Sequence, residues 1–328
     1  MADLTKRDDF RPAASWKNLC LRAELLRRVR EFFHERNFLE VETPILSADT
    51  VVDRHLDPFC VAATDGARNA GRLWLQTSPE FAMKRLLAAG AEAIYQVTRA
   101  FRRGEFGRLH NPEFTMVEWY RTGDGLHEGM QLLSDLGEVL LERGPAERVG
   151  YREAFERHVG LDPHTVDTGE LMARVQGLGI RPPATLEADD RDGWLDLLLV
   201  ERIEPHLGVS RPVILYDYPA SQAALAHVRS EDPPVAERFE LYVSGIELAN
   251  GYHELIDPAE LRIRNAQNNA LRRTDGKQLL PEESRLLAAM QSGMPSSVGV
   301  ALGFDRLVML VAGAKTIAEV MAFPLDRA

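Results

Sequence analysis

Residues 94–120 read IYQVTRAFRRGEFGRLHNPEFTMVEWY, two apolar-rich runs on either side of a polar loop. Ile94–Arg102 and Phe114–Tyr120 have strand character, and the polar loop Arg103–Glu113 joins them. In the second run a period of two sends Phe114, Met116, Glu118 and Tyr120 to one face. Thr115, Val117 and Trp119 go to the other. Two aromatic rings, a thioether and a carboxylate in one row do not make an ordinary core face. The pattern predicts a strand pair carrying a polar site.

Working outward, Ser15 caps a helix predicted to run to Asn37. Phe38–Leu46 alternates like a strand, but Pro44 cannot donate to a central ladder and assigns it to an edge or an interface. Trp74–Gln76 reads as a short strand, followed by Thr77-Ser78-Pro79-Glu80 and a helix over Phe81–Ala89. Locally, Glu80 reads as that helix's N-terminal cap. Helical patterns fill 126–208, an insertion without identifiable chemistry. Val213–Tyr216 is a buried-strand candidate. Asn250-Gly251, between Phe239–Ala249 and Tyr252–Ile256, predicts a two-residue hairpin turn, which sets Glu247 opposite Glu254. Facing carboxylates destabilise a sheet. The residues leave two readings: a cation between the pair, or another register with both in solvent. At the C-terminal end the strand Val298–Leu302 leads through Gly303 into a helix over Phe304–Ala312. Arg102 and Arg306, with a glycine at a helix start, suit a phosphate-bearing ligand. His110 and Asn111 serve equally well as loop caps.

The 328 residues carry a net charge of −11, with 45% hydrophobic and 27% charged residues. That balance excludes disordered and fibrous classes. The best membrane candidate, Val298–Ala314, is interrupted by Asp305 and Arg306. Residues 1–10 lack the apolar core of a secretory signal, and two cysteines make no disulfide framework or zinc cluster. A reduced, cytoplasmic protein is expected, and the acidic total weighs against nucleic acid as main partner. No Walker A loop, G-x-G-x-x-G, H-E-x-x-H or G-x-S-x-G is present. Residues 1–14 are expected to be a flexible tail and 15–328 one α+β domain.

Taken together, EVETP at Glu40–Pro44, TSPE at Thr77–Glu80, AFRRGEFGRLHNPEFTMVEWY at Ala100–Tyr120, YPASQAALA at Tyr218–Ala226, RFELYVSGIELANGYHEL at Arg238–Leu255 and GVALGFDRLVML at Gly299–Leu310 resemble the class II aminoacyl-tRNA synthetases of the lysyl branch. Only about fifteen residues precede the first helix, where lysyl enzymes carry an anticodon-binding domain. That architecture resembles their paralogues, the elongation factor P–(R)-β-lysine ligases. The resemblance implies an antiparallel sheet flanked by helices, and a homodimer through the Pro44 region. It implies ATP and Mg²⁺, (R)-β-lysine as amino acid and elongation factor P as acceptor. The acidic total and the lack of an anticodon-binding domain make tRNA unexpected, and the lack of an apolar span does the same for a membrane. Arg102 and Arg306 become the catalytic cations. Phe114 and Arg306 would sandwich the adenine. Arg103, Gly104, Glu105, His110, Asn111, Leu248 and Gly303 would border ATP, and Glu247 its Mg²⁺. Ser78, Pro79, Glu80, Glu118, Tyr120, Asn250, Glu254 and Ala301 would line the amino-acid pocket. The lysyl enzymes have F-R-N-E where this chain has Phe101-Arg102-Arg103-Gly104, which leaves open whether Gly104 or Glu105 meets ATP. Ser78 and Ala301 stand where the synthetases have alanine and glycine, changes suited to a β-amino acid. Rival readings are a free-standing synthetase-like enzyme acting on tRNA or a free amino acid, and a non-catalytic nucleotide or amino-acid sensor.

Overall fold

The computed structural model describes residues 10–62 and 72–328. The chain forms two compact units, one of residues 1–122, 257–295 and 301–328, the other of 123–256 and 296–300. Most of the expected tail, residues 1–9, lies outside the described residues. Of the remainder, Ala13 and Ala14 donate to the carbonyls of Ala322 and Met321 at 2.8 and 3.1 Å, so this part is tied down.

In the first unit the helix Trp16–His34 starts where Ser15 accepts from the Asn18 amide, an N-cap satisfying one orphan donor. Its buried stripe of Leu25, Val29, Phe32 and Phe33 faces the strand Ala93–Phe101, where Phe33 stacks on Tyr95 at 4.5 Å between ring centres. Ala93–Phe101 runs antiparallel to Glu113–Thr122, with Ala100 opposite Phe114 and Gln96 opposite Glu118. The expected strand over 38–46 is reduced to two fragments. Leu39–Glu40 pairs parallel with Ile94–Tyr95, and Leu46–Ser47 joins a separate three-stranded sheet with Arg72–Leu75 and Cys60–Ala62. Pro44 lies between the fragments, where no ladder needs its missing N–H.

In the second unit Val213–Pro219 runs parallel to Glu147–Gly150 and antiparallel to Val235–Val243, which pairs in turn with Ile246–His253. The sheet pairing of the chain is therefore mixed, not wholly antiparallel, within an α+β fold. The 126–208 region is part of this unit's framework. It supplies the strand Glu147–Gly150 and a core in which Tyr151, Phe155, Leu171 and Trp194 pack with Leu215 and Tyr242.

The predicted hairpin is displaced. The turn falls at Ser244-Gly245, both at positive φ of 53° and 73°, as a two-residue turn demands. Asn250 and Gly251 sit inside the strand, opposite Glu240 and Phe239. Glu247 therefore faces Tyr242, and the opposed Glu247–Glu254 pair is not formed. Gly251 is required by packing rather than by a turn, because a Cβ there would lie 2.4 Å from the Phe239 ring. Gly251→Ala is expected to cost about 1–3 kcal/mol through overpacking, read as a lower urea midpoint. An unchanged midpoint would contradict this account of the glycine.

The register also holds a bulge. Tyr242 pairs with Glu247 while Leu241 pairs with Ala249, so Leu248 is the extra residue. Glu247 and Glu254 are an odd number of residues apart, which in a regular strand means opposite faces. The inserted residue shifts the alternation between them by one place.

Candidate active site

The first unit assembles a buried carboxylate cluster. Glu118, 1% exposed, accepts hydrogen bonds from Ser78 Oγ and Tyr120 OH, both at 2.6 Å. Ser78 Oγ also accepts from the Glu80 amide at 3.1 Å, so Ser78 fixes both the carboxylate and the start of the helix Glu80–Ala88. Glu80 pairs with the buried Lys84 one turn on, at 2.6 Å. Burial, with repulsion from Glu80, raises the Glu118 pKa to about 7, despite the lowering bonds from Ser78 and Tyr120. Such a group gains a strong incentive to ionise when a cation arrives. Lys84 went unnoticed in the sequence, although its spacing of four from Glu80 is an ion-pair signal.

The loop before Glu113–Thr122 carries the cations. Arg102 lies over the Phe114 ring, its Cζ 5.1 Å from the ring centre, and donates weakly to the Thr77 carbonyl at 3.4 Å. Glu105 reaches Arg102 at 3.8 Å and His110 at 4.0 Å. Gly104 holds a left-handed turn at φ 88° between Arg103 and Glu105. Arg306, in the first turn of the helix Phe304–Ala312, meets His110 at 2.6 Å and the Leu109 carbonyl at 3.3 Å. Burial, aided by Arg306, lowers the His110 pKa, favouring a neutral ring that accepts from the guanidinium. Phe114 thus has Arg102 on its face, and Arg306 is held at the loop.

Several expected site residues have structural duties. Asn111 is 5% exposed, donates to the Glu113 carbonyl and accepts from the Leu325 amide. Gly303 is the N-cap of the last helix, and Ala301 is half-buried in the strand Ser297–Gly303. Arg103 contributes its backbone, donating to the Asp57 carbonyl at 2.7 Å. Asp305 was not singled out by sequence, yet it pairs with Arg22 at 2.6 Å and accepts from the Thr115 amide at 2.6 Å. That triad holds the last helix against the carboxylate-bearing strand.

The second unit holds the other expected residues on the strand Ile246–His253 and just beyond it. Leu248 is buried and Glu247 half-buried. Asn250 Oδ1 is buried without a hydrogen-bond partner among the described residues, an acceptor suited to a ligand N–H. Glu254 is 2% exposed and is anchored through its amide to the Ser297 carbonyl. The sequence reading missed a buried network beside them. Glu240 accepts from Tyr218 and Tyr242 at 2.7 and 2.6 Å and pairs with Arg238. The R-F-E alternation that puts Arg238 and Glu240 on one face was its available signal.

A family model for class II tRNA synthetases (D, K and N) matches residues 6–327. A protein of Salmonella arizonae named elongation factor P–(R)-β-lysine ligase is 47% identical over 97% of this chain and 98% of its own length. Proteins of the same name from Klebsiella pneumoniae and Edwardsiella ictaluri are 47% and 48% identical with the same coverage.

Proposed function

Because this chain belongs to the class II tRNA synthetases (D, K and N), we propose that it is a ligase that activates (R)-β-lysine with ATP and joins it to a lysine of elongation factor P. The observation that carries the reading is the 46–48% identity, over 97% of the chain, to proteins of that name. The substrate carboxylate attacks the α-phosphorus of ATP, the bond to the β-phosphate oxygen breaks, and pyrophosphate leaves with an adenylate formed. A neutral lysine amine of the acceptor then attacks the acyl carbon, AMP departs, and the amine's proton is released. No protein nucleophile is involved; alignment and charge stabilisation carry the rate.

Arg102 is the proposed partner of the α-phosphate, with Phe114 as an adenine platform. Glu118, held by Ser78 and Tyr120, would take a substrate ammonium, and Glu254 is proposed for a second. A hard carboxylate oxygen such as that of Glu247 suits Mg²⁺. When bound, the ion would offset phosphate charge. We further propose a homodimer through the Pro44 region, where Leu39, Ile45 and Leu46 are 64%, 40% and 41% exposed. No helix among the described residues is long and apolar enough to cross a membrane, and a cytoplasmic location is part of the proposal.

Incubation with ATP, labelled (R)-β-lysine, elongation factor P and tRNA tests the reading. Label is expected in amide linkage on the protein, with AMP released and tRNA uncharged. Label on tRNA alone would move the assignment to the synthetase-like rival. Nucleotide binding without turnover would indicate a sensor.

A further inference from the structure

We propose that His227, Glu237 and His253 form a binding site for one divalent transition-metal ion of the zinc class. One ligand atom from each lies within 4.8 Å of the others, the one such trio of histidine, cysteine and carboxylate residues among the described residues. His227 Nδ1 is 3.0 Å from Glu237 Oε2, and His253 Nδ1 contacts the same oxygen. Tetrahedral zinc, with bonds of about 2.0–2.1 Å, needs ligand atoms roughly 3.3 Å apart. Small side-chain rotations meet that spacing.

Three features go beyond proximity. The backbone pre-assembles the trio, with the His227 amide donating to the His253 carbonyl at 2.8 Å and the Glu237 amide to the His227 carbonyl at 2.9 Å. Ser296 Oγ lies 2.9 Å from His253 Nε2, the outer contact by which metal-bound imidazoles fix their tautomer and orientation. The nearby guanidinium also leaves Glu237 to the histidines. Arg229 is taken up by Asp217 at 3.0 and 2.8 Å and by Glu231 at 2.8 Å, with a long 3.5 Å contact to Glu237. Arg229 is thus spent mainly on Asp217 and Glu231, which leaves the two imidazoles as the close partners of Glu237. A cavity of about 500 Å³ lined by Asp217, Arg229 and Glu237 gives an ion and a fourth ligand water a way in. Two imidazoles and one carboxylate select zinc-like ions over Mg²⁺. The ion would clip three chain segments together, and one of its ligands, His253, directly precedes Glu254.

The test uses full-length protein stripped with chelator and titrated with Zn²⁺ alone by calorimetry, then with Co²⁺ by visible absorption. The expected result is one saturable Zn²⁺ per chain, a tetrahedral Co²⁺ spectrum and a raised Tm on zinc addition. His227→Gln keeps a donor for Glu237 but removes the ligand. Its side-chain position is 45% exposed, so the fold is retained. It should weaken zinc at least about tenfold, the loss that even outer-shell changes cause, and abolish the Tm response. Zinc uptake equal in wild type and His227→Gln, or no saturable uptake, would overturn the site and leave the proposed ligase activity untouched.

Discussion

Arg102→Ala is expected to lower ATP–pyrophosphate exchange by about 10²–10³-fold while leaving the urea midpoint nearly unchanged. The magnitude is that of removing one preorganised donor from a developing charge. Arg102 is positioned by the Phe114 ring at 5.1 Å and by longer polar contacts of 3.4 and 3.8 Å. These orient the guanidinium without saturating it. Arg272 makes the contrast: it is 1% exposed and spends its donors on Gln278, Asp53, Leu56 and Asp57 at 2.7–3.0 Å. Losing Arg272 is expected to show as a folding defect, and on the proposed reading losing Arg102 is expected to show as a chemical one. Arg102→Lys should recover little, because a point charge lacks the planar fork. Exchange within a few-fold of wild type in Arg102→Ala would remove this residue from the mechanism.

Glu118→Gln should separate stability from binding. The Glu118 carboxyl rises from 4.5 to about 7 on folding. Between those values the native protein holds a proton that the unfolded chain has lost, so stability falls as pH rises and levels off above about 7. At about 1.4 kcal/mol per unit, the fall is at most roughly 3 kcal/mol. Glutamine carries no such titration. Urea midpoints at pH 5 and pH 8 should therefore differ less in the variant than in wild type. Equal pH dependence in the two proteins would show that Glu118 does not titrate on folding. Binding of the diamino substrate should weaken by about 3 kcal/mol, on the order of 100-fold, as when one member of a buried charged pair is removed. Below pH 7, substrate binding to wild type should also release a proton, measurable by calorimetry in buffers of different ionisation enthalpy.

The sequence was most legible where a period or a cap acts locally. The helix from Ser15, the pair Ala93–Phe101 and Glu113–Thr122, and the strand–Gly303–helix end follow from alternation and capping alone. Glu118 was visible as a carboxylate out of keeping with its row. It was less legible where a residue type serves two purposes. Asn250-Gly251 carries a turn signature, but the glycine answers to the Phe239 ring, and the actual turn used Ser244-Gly245. The register followed, and with it the false opposition of Glu247 and Glu254.

By itself, then, the sequence determined the family, the α+β class and the candidate residues, because these depend on residue identity and short-range spacing. Tertiary structure alone decided which of those side chains are spent on the fold. Asn111 is used up at both ends of its amide and Glu80 answers Lys84, while Asp305, no candidate, ties Arg22 to the Thr115 amide. It also decided the state of Glu118, whose burial raises its pKa. The physical reason is range. Propensity and alternation act over a few residues, whereas desolvation and ion pairing depend on segments up to 283 positions apart, as in Arg22 and Asp305.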